Sequence, residues 1–341
     1  MRFILKNAKL WFLSLLVCFS LGSCGDDDLF DPGGETTVTP NPDPDPVDDG
    51  STESNTIIDF ATANGFTSLV AAVEAAGLTE TLSGDTEYTV FAPDNDAFQA
   101  LLDSNDEWSA LEDIPVDVLE LVLMNHVKAG SIMSGDLTTG YIESMAAAGP
   151  DGENVSLYIN TDDGVVINGM STVTSADNEV DNGVVHAVDA VIGLPDVTTF
   201  ATADPTFSSL ATALTREALV ETLQSTESPA PFTIFAPTDD AFAALLTELE
   251  AGSLDDIDSD TLTAVLTYHV IADNNVTSDE LSDGDAVTTL QGEDLTIGIG
   301  GDGGVSITDV NGRTSTVVAA DVQATNGVIH AIDMVLLPTL E

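Results

Sequence analysis

The sequence predicts one type of domain, made of short helices and strands, that occurs twice in succession. Two observations predict it: a long internal repeat, and, inside each repeat unit, apolar residues at helical spacing in some segments and alternating as in strands in others. The chain has 341 residues and 43% of them are hydrophobic, so each half is large enough to bury a core of its own.

The repeat has a period of about 144 residues. Thr-Val-Phe-Ala-Pro-Asp-Asn-Asp-Ala-Phe at 89–98 returns as Thr-Ile-Phe-Ala-Pro-Thr-Asp-Asp-Ala-Phe at 233–242. Asn-Gly-Val-Val-His-Ala-Val-Asp at 182–189 returns as Asn-Gly-Val-Ile-His-Ala-Ile-Asp at 326–333. A period this long indicates duplicated domains rather than a solenoid of short repeats, and we place them at 55–195 and 196–341.

Local signals place the elements in order along each unit. Residues 89–91 predict a strand that stops at Pro93, and Asp94, or Thr238 in the second unit, is a suitable N-cap for the helix that follows. A second helix is predicted from apolar residues that share a face with a histidine: Leu119, Val122, Leu123 and His126, matched by Leu262, Val265, Leu266 and His269. The Asn-Gly pair then predicts a hairpin turn before an alternating strand.

These blocks resemble the FAS1 (fasciclin-like) family over nearly the whole chain beyond residue 54. The resemblance implies an α+β fold in which each domain is a wedge-like β-sandwich flanked by short α-helices. It also implies a role in adhesion, matrix attachment or protein contact rather than in catalysis. A Tyr-His pair is associated with adhesion in animal members of the family, which makes Tyr268 and His269 a candidate interaction motif. The first copy has Asn125-His126 instead, and a buried, hydrogen-bonded tyrosine is the alternative interpretation of Tyr268.

The chemical motifs indicate no catalytic residue, cofactor or metal. All four histidines (126, 186, 269 and 330) lie among aliphatic residues, which favours hydrogen-bonded core histidines. Residues 298–303 fit a Gly-x-Gly-x-x-Gly pattern, but a strand follows rather than a helix, so a glycine-rich hairpin is the better interpretation than a dinucleotide site. The alternating acids at 256–260 are better explained as the start of a helix than as a calcium loop.

Charge restricts the partners. The chain carries 59 Asp and Glu against 6 Lys and Arg, a field that repels the phosphates of nucleic acids and anionic lipid surfaces. Nucleic-acid binding is therefore excluded as a function. Contacts with anionic partners would need bridging divalent cations.

The first 24 residues predict a bacterial lipoprotein signal peptide. Arg2, Lys6 and Lys9 precede an apolar segment too short to span a bilayer, and Leu-Gly-Ser-Cys follows, with Cys24 as the expected lipidated residue. The acids at 26–28 resemble the surface-export signal of Bacteroidetes lipoproteins, and residues 25–54 read as an acidic, proline-rich tether. We expect attachment to the outer membrane facing outward, with a periplasm-facing position as the alternative.

The predicted function is adhesion, or protein or matrix interaction, at the cell surface. Two other functions stay open: a passive envelope spacer or scaffold, and a module that binds extracellular polysaccharide. Trp108 is the only tryptophan beyond the signal segment, which gives the polysaccharide alternative few aromatic rings. The ligand, the binding face and the arrangement of the domains do not follow from the sequence.

Overall fold

The computed structural model describes residues 54–301 and 303–340, and the first repeat occupies residues 54–195. Its strands are β1 (Tyr88–Pro93), β2 (Val127–Ala129), β3 (Gly140–Glu143), β4 (Ser156–Asn160), β5 (Val166–Ile167), β6 (Ser171–Val180) and β7 (Gly183–Val188). Its helices are α1 (Ile57–Ala63), α2 (Thr67–Ala75), α3 (Thr79–Ser83), α4 (Asn95–Asp103) and α5 (Val116–Asn125), with 3₁₀ turns at Leu111–Asp113 and Ser134–Asp136.

The second repeat, residues 196–340, has the same order of α-helices and strands. Its helices are α6 (Val197–Ala203), α7 (Ser208–Arg216), α8 (Val220–Gln224), α9 (Asp239–Glu248) and α10 (Ser259–Tyr268), with 3₁₀ turns at Pro205–Phe207 and Leu254–Asp256. Its strands are β8 (Phe232–Pro237), β9 (Val270–Ile271), β10 (Ala286–Thr288), β11 (Asp294–Ile299), β12 (Val305–Thr308), β13 (Thr314–Ala324) and β14 (Gly327–Ile332). The signal segment, Cys24 and nearly all of the tether lie outside the described residues.

Side-chain caps begin the helices where the sequence predicts. The side chain of Asp94 accepts a hydrogen bond from the Ala97 N–H, and Thr238 caps α9 in the same way, so both predicted N-caps are confirmed. Asp258 caps α10, which confirms that the acids at 256–260 start a helix. The glycine-rich segment at 298–303 joins β11 to β12, an antiparallel pair, as predicted.

Each repeat closes by pairing its first strand with its last. The strand order is β2-β1-β7-β6-β5-β4-β3 in the first repeat and β10-β11-β12-β13-β14-β8-β9 in the second. All neighbours are antiparallel except β1 with β7 and β8 with β14, which are parallel. The long strand β6 pairs with β5 at its start and with β7 from Val173 onward, and two register shifts interrupt its pairing with β7. β6 therefore belongs to both halves of the sheet.

The central strands are buried on both faces because a core lies on each side of them. Val90 of β1 packs with the helices, whereas its neighbour Phe91 packs with β4, β5 and β7 in a second core. The second repeat has the same division, with Phe235 in the core between strands. Residues 88–93 of β1 are therefore all buried. This explains why the strand does not alternate between apolar and polar residues, as a strand with one exposed face would.

The Asn-Gly turn holds the start of each repeat to its end. Asn182 accepts from the Ile57 N–H (2.9 Å) and donates to Leu82 O (2.8 Å), while the Asn55 and Asp181 segments exchange two further hydrogen bonds. In the second repeat Asn326 accepts from the Val197 N–H at 3.0 Å. We call these contacts the entry clamps.

Gly183→Ala tests the parallel closure. Gly183 has φ +141°, and an added Cβ would lie 1.9 Å from the backbone oxygen of Tyr88, so β1 and β7 would have to separate. We expect a loss of about 3 kcal/mol or more in the free energy of unfolding, measured by urea denaturation. Gly193→Ala is the control, because open space surrounds that position, and it should change stability by less than about 0.5 kcal/mol. Equal effects of the two substitutions would contradict this account.

Candidate functional site

The four histidines were the main chemical candidates, and the structure places all of them in the interior. Their exposed fractions are 0–3%. They form two kinds of site, each present once in each repeat. Both ring nitrogens of every histidine contact a backbone group, so the core interpretation agrees with the geometry.

His126 and His269 form hydrogen bonds with the chain that follows the closing strand. The Nδ1 of His126 lies 2.7 Å from Val122 O, which can only accept, so Nδ1 carries the proton. Its Nε2 then accepts from the Ile192 N–H at 2.8 Å. His269 makes the same pair of contacts with Val265 O and the Leu336 N–H. Each ring is therefore a neutral imidazole that bridges a helix end and a later segment.

His186 and His330 carry the opposite tautomer. His186 donates from Nε2 to Ile132 O (3.0 Å) and accepts at Nδ1 from the Asp177 N–H (3.1 Å). His330 repeats this with Val276 O and the Asp321 N–H. The Asp177 carboxylate lies 3.9 Å from Nδ1, but that nitrogen has no proton, so no ion pair forms.

A serine, an aspartate and a histidine meet at this second site without forming a catalytic triad. Ser134 donates from both its backbone N–H and its hydroxyl to the carboxylate of Asp177, at 2.6 Å each. These bonds lower the pKa of Asp177. The hydroxyl therefore faces an acid rather than the imidazole, which has no free nitrogen to remove its proton. The arrangement holds a β-bulge, where Asp177 has φ +60°.

The proposed interaction motif lies inside the second repeat. Tyr268 is fully buried and His269 is 3% exposed. The Tyr268 hydroxyl donates to Asp294 O (3.0 Å) and accepts from the Val310 N–H (3.1 Å), so it joins α10 to the start of β11 and to the turn after β12. A direct role of this pair in binding stays a prediction, and the geometry gives Tyr268 a structural role.

The first repeat differs at the equivalent position. Asn125 is fully buried and donates to Gly193 O at 2.9 Å, while its Oδ1 has no hydrogen-bond partner among the described residues. An unpaired buried acceptor costs about 1–3 kcal/mol. The two repeats therefore use different side chains at the equivalent helix end. In the first repeat, Asn125 bonds to the chain that leads to the second repeat.

The junction between the repeats is a second candidate site, and no sequence motif marks it. Tyr141 of β3 donates its hydroxyl to Asp204 of the second repeat at 2.8 Å, and its ring meets Phe200 edge-on at 5.6 Å. Tyr158 of β4 packs into the core of the second repeat. Burial raises the pKa of Tyr158 to about 12, with the Asp204 carboxylate adding to the shift.

Backbone contacts complete this junction. Ser156 accepts from the Gln323 N–H at 3.1 Å, and the Thr325 N–H donates to Pro195 O at 2.8 Å. The segment between the repeats is thus bonded to residues of both repeats.

Within residues 54–301 and 303–340, no group of three His, Cys, Asp or Glu side chains is placed to hold a metal ion. No helix in those residues is long and apolar enough to cross a membrane. Cys24, the expected lipidation site, lies outside them.

The fold and these repeated contacts define a class of protein, and comparison with known families identifies it. The Fasciclin domain model matches residues 64–195 and 205–338. The chain therefore belongs to the fasciclin (FAS1) domain family and carries two copies of the domain.

Relatives come from bacteria and animals. Protein sll1483 of Synechocystis is 38% identical over 177 residues, half of this chain and 90% of that protein. Human periostin is 33% identical over 272 residues, which cover 78% of this chain but only 30% of periostin. The FAS1 domain pair of the insect cell adhesion molecule fasciclin I is a structural neighbour with a TM-score of 0.49 and 21% identity, covering 82% of this chain and 98% of that one.

Acid should destabilise the fold through the buried histidines. Burial lowers the pKa of His126 and of His269 to about 4, from about 6.5 in the unfolded chain. Between these values the unfolded state binds a proton that the folded state does not, so stability falls as pH drops from 6.5 to 4. The slope is at most about 1.4 kcal/mol per pH unit for each histidine. Urea unfolding at pH 7, 6, 5 and 4.5 measures it.

His269→Gln isolates that contribution from the many carboxylates. The variant should be less stable at pH 7, because a bridging ring is lost, but its stability should fall less steeply with acid. A slope identical to that of the wild type would show that His269 does not control the acid response.

Tyr268→Phe separates a structural role from a binding role. Removing the hydroxyl leaves Asp294 O and the Val310 N–H without this partner, and we expect a loss of about 1–3 kcal/mol in the free energy of unfolding. Tyr88→Phe is the control, because the Tyr88 hydroxyl bonds to no described residue, and it should be near neutral. If Tyr268→Phe abolished cell attachment with unchanged stability, the motif would act directly in binding.

Proposed function

We propose that this protein is a lipid-anchored adhesion protein of the bacterial outer surface, which contacts an extracellular protein or matrix through two FAS1 domains. FAS1 domains occur in adhesion and extracellular-matrix proteins, among them periostin, stabilin and ig-h3. The observation that carries the proposal is that both repeats are complete and align with periostin over 272 residues. We propose domain boundaries at 55–195 and 196–341, and no enzymatic activity.

The anchor is supported by the sequence at Cys24. Leu-Gly-Ser-Cys follows an apolar segment with three basic residues ahead of it, and acids and prolines come after it. A lipid on Cys24 with a tether of about 30 residues would hold the FAS1 pair away from the membrane. We propose outward display, with a periplasm-facing position as the alternative.

A second candidate function is that of an envelope spacer. The hydrogen-bonded junction at Tyr141, Asp204 and Pro195 favours it, because it joins the repeats without a free linker. In that role the protein would set a distance and would have no specific ligand. Polysaccharide binding has no comparable support among the described contacts.

Lipid labelling and protease treatment of intact cells test the anchor and its orientation. We expect the wild-type chain to carry the lipid label and to be digested from whole cells. Cys24→Ala should lose the label, whereas Cys18→Ala, the matched control in the apolar segment, should keep it. A labelled chain that is protected until the outer membrane is opened would overturn surface adhesion and favour the envelope scaffold.

Attachment of the same cells to immobilised matrix protein then tests adhesion. Cells with the wild-type chain should attach more than cells with Cys24→Ala. Chelation of calcium and magnesium should weaken attachment if cations bridge the acidic surface to an anionic partner. Equal attachment of both strains would overturn the adhesion proposal, and chelator-resistant attachment would remove only the cation bridge.

A further inference from the structure

A bulge in β13 places a carboxylate beside a buried histidine. The pairing of β13 with β14 shifts register between Ala319 and Val322, and Asp321, inside this bulge, has φ +60°. The Asp321 N–H donates to Nδ1 of His330 at 3.3 Å, and the Asp321 carboxylate lies 3.9 Å from the same nitrogen. Among the described residues, no other carboxylate lies as close to this ring. The nitrogen therefore has two alternative partners on one residue.

The proton on the ring decides which partner is used. In the neutral ring Nδ1 accepts from the Asp321 N–H, while Nε2 donates to Val276 O at 2.9 Å. A solvent proton on Nδ1 makes this nitrogen a donor, so it loses the N–H and can bond to the carboxylate instead. A charge-assisted bond of this kind is about 2.8 Å long, so the two groups must approach each other by about 1 Å. Protonation therefore changes the shape of the bulge.

The surroundings of His330 keep the ring neutral at pH 7 and give it a counter-ion in acid. Phe235 of β8 packs against the ring, with 5.8 Å between ring centroids. Burial lowers the pKa of His330, whereas the bond to Val276 O and the negative charge of Asp321 act in the opposite direction. Ser278 donates to the Asp321 carboxylate from its N–H (2.7 Å) and from its hydroxyl. The Asp321 side chain is 43% exposed, so the site is open to water on this side.

Both partners of the ring lie next to a contact between the repeats. Gln323, two residues after Asp321, donates its N–H to Ser156 Oγ of the first repeat at 3.1 Å. The Gln323 side chain donates to Asn275 Oδ1 at 3.0 Å, and Asn275 precedes Val276 in the chain. A movement of Asp321 or of Val276 therefore reaches Gln323 through one or two residues of backbone.

The first repeat has the same bulge without this contact. Ser134, Asp177 and His186 make the equivalent hydrogen bonds. The register with the closing strand puts Glu179 at the position of Gln323, and Glu179 is exposed. Among the described residues, it forms no hydrogen bond with the second repeat. The bulge of the first repeat is therefore a natural control for that of the second.

We propose that the β13 bulge is an acid-sensitive switch that loosens the contact between the two repeats. When His330 takes up a proton, it releases the Asp321 N–H and bonds to the Asp321 carboxylate. The displaced backbone then weakens the bond from Gln323 to Ser156. The repeats are joined more firmly at neutral pH than in acid. This inference does not depend on the adhesion function, and its failure would leave that proposal unchanged.

Amide hydrogen exchange of the full-length protein in detergent, followed by NMR, tests the switch. The Gln323 N–H and the Phe235 N–H are compared at about pH 7 and about pH 4.5, after correction for the intrinsic exchange rate. The Phe235 N–H bonds to His269 O and reports the general effect of acid on the core. We expect Gln323 to lose protection by a factor about ten or more larger than Phe235 does. The ¹⁵N shifts of His330 should show a proton on both ring nitrogens at the lower pH.

Asp321→Asn removes the charge and keeps the backbone N–H, and asparagine tolerates the positive φ of this position. The additional loss of protection at Gln323 should disappear, because the ring no longer has a carboxylate to receive its proton. Asp177→Asn is the matched control. It makes the same change in the first bulge and should leave the response of Gln323 to acid as in the wild type.

Four results would overturn the switch. They are equal losses of protection at Gln323 and Phe235, an undiminished response in Asp321→Asn, a response that Asp177→Asn also removes, and a His330 ring that stays neutral in the folded protein at about pH 4.5. If Asp321→Asn does not fold, the wild-type exchange and the His330 ¹⁵N shifts decide the question without it.

Discussion

The parallel pairing of the first and last strand is the constraint on which each repeat depends. β1 and β7 are about a hundred residues apart in the chain, yet all six residues of β1 pair in register with β7. This pairing creates the two cores, one under the helices and one between the strand layers, and it requires glycine where β7 begins. Every other strand of the sheet is attached to this pair directly or through a neighbour.

The buried histidines serve the same architecture. Each one is neutral, and each joins a helix end or a bulge to a distant segment through two backbone hydrogen bonds. Each site offers the ring one backbone donor and one backbone acceptor, which a neutral imidazole satisfies and a doubly protonated ring would not. The few cations are also used for the fold: Arg216 donates to Leu254 O and Ile257 O, and Arg313 pairs with Glu248 at 3.1 Å.

Local features of each repeat could be predicted from the sequence, and contacts between the repeats could not. Asp94 and Thr238 act through residues close in the chain, and each Asn-Gly turn joins two consecutive strands, so short-range rules find the caps and the turns. The long-range bonds of Asn182 and Asn326 in the entry clamps follow no such rule. The closing strand ends at Val188, and beyond it the backbone of Ile192 is bonded to the side chains of His126 and Asn125 instead of to a neighbouring strand. Tyr141 and Asp204 are far apart in sequence and match no motif, so no local pattern encodes the contact between them.

The entry clamps have a consequence for a molecule under tension. A force that pulls the chain at residue 54 does not peel α1 from the surface first, because Asn55 and Ile57 are bonded to Asp181 and Asn182 at the start of the closing strand. The load passes through these hydrogen bonds into β7 and along it toward residue 195, so the clamp has to break before α1 is pulled away. The same path is present at Val197 and Asn326. In both repeats the clamp therefore shields the first helices of the repeat from the load.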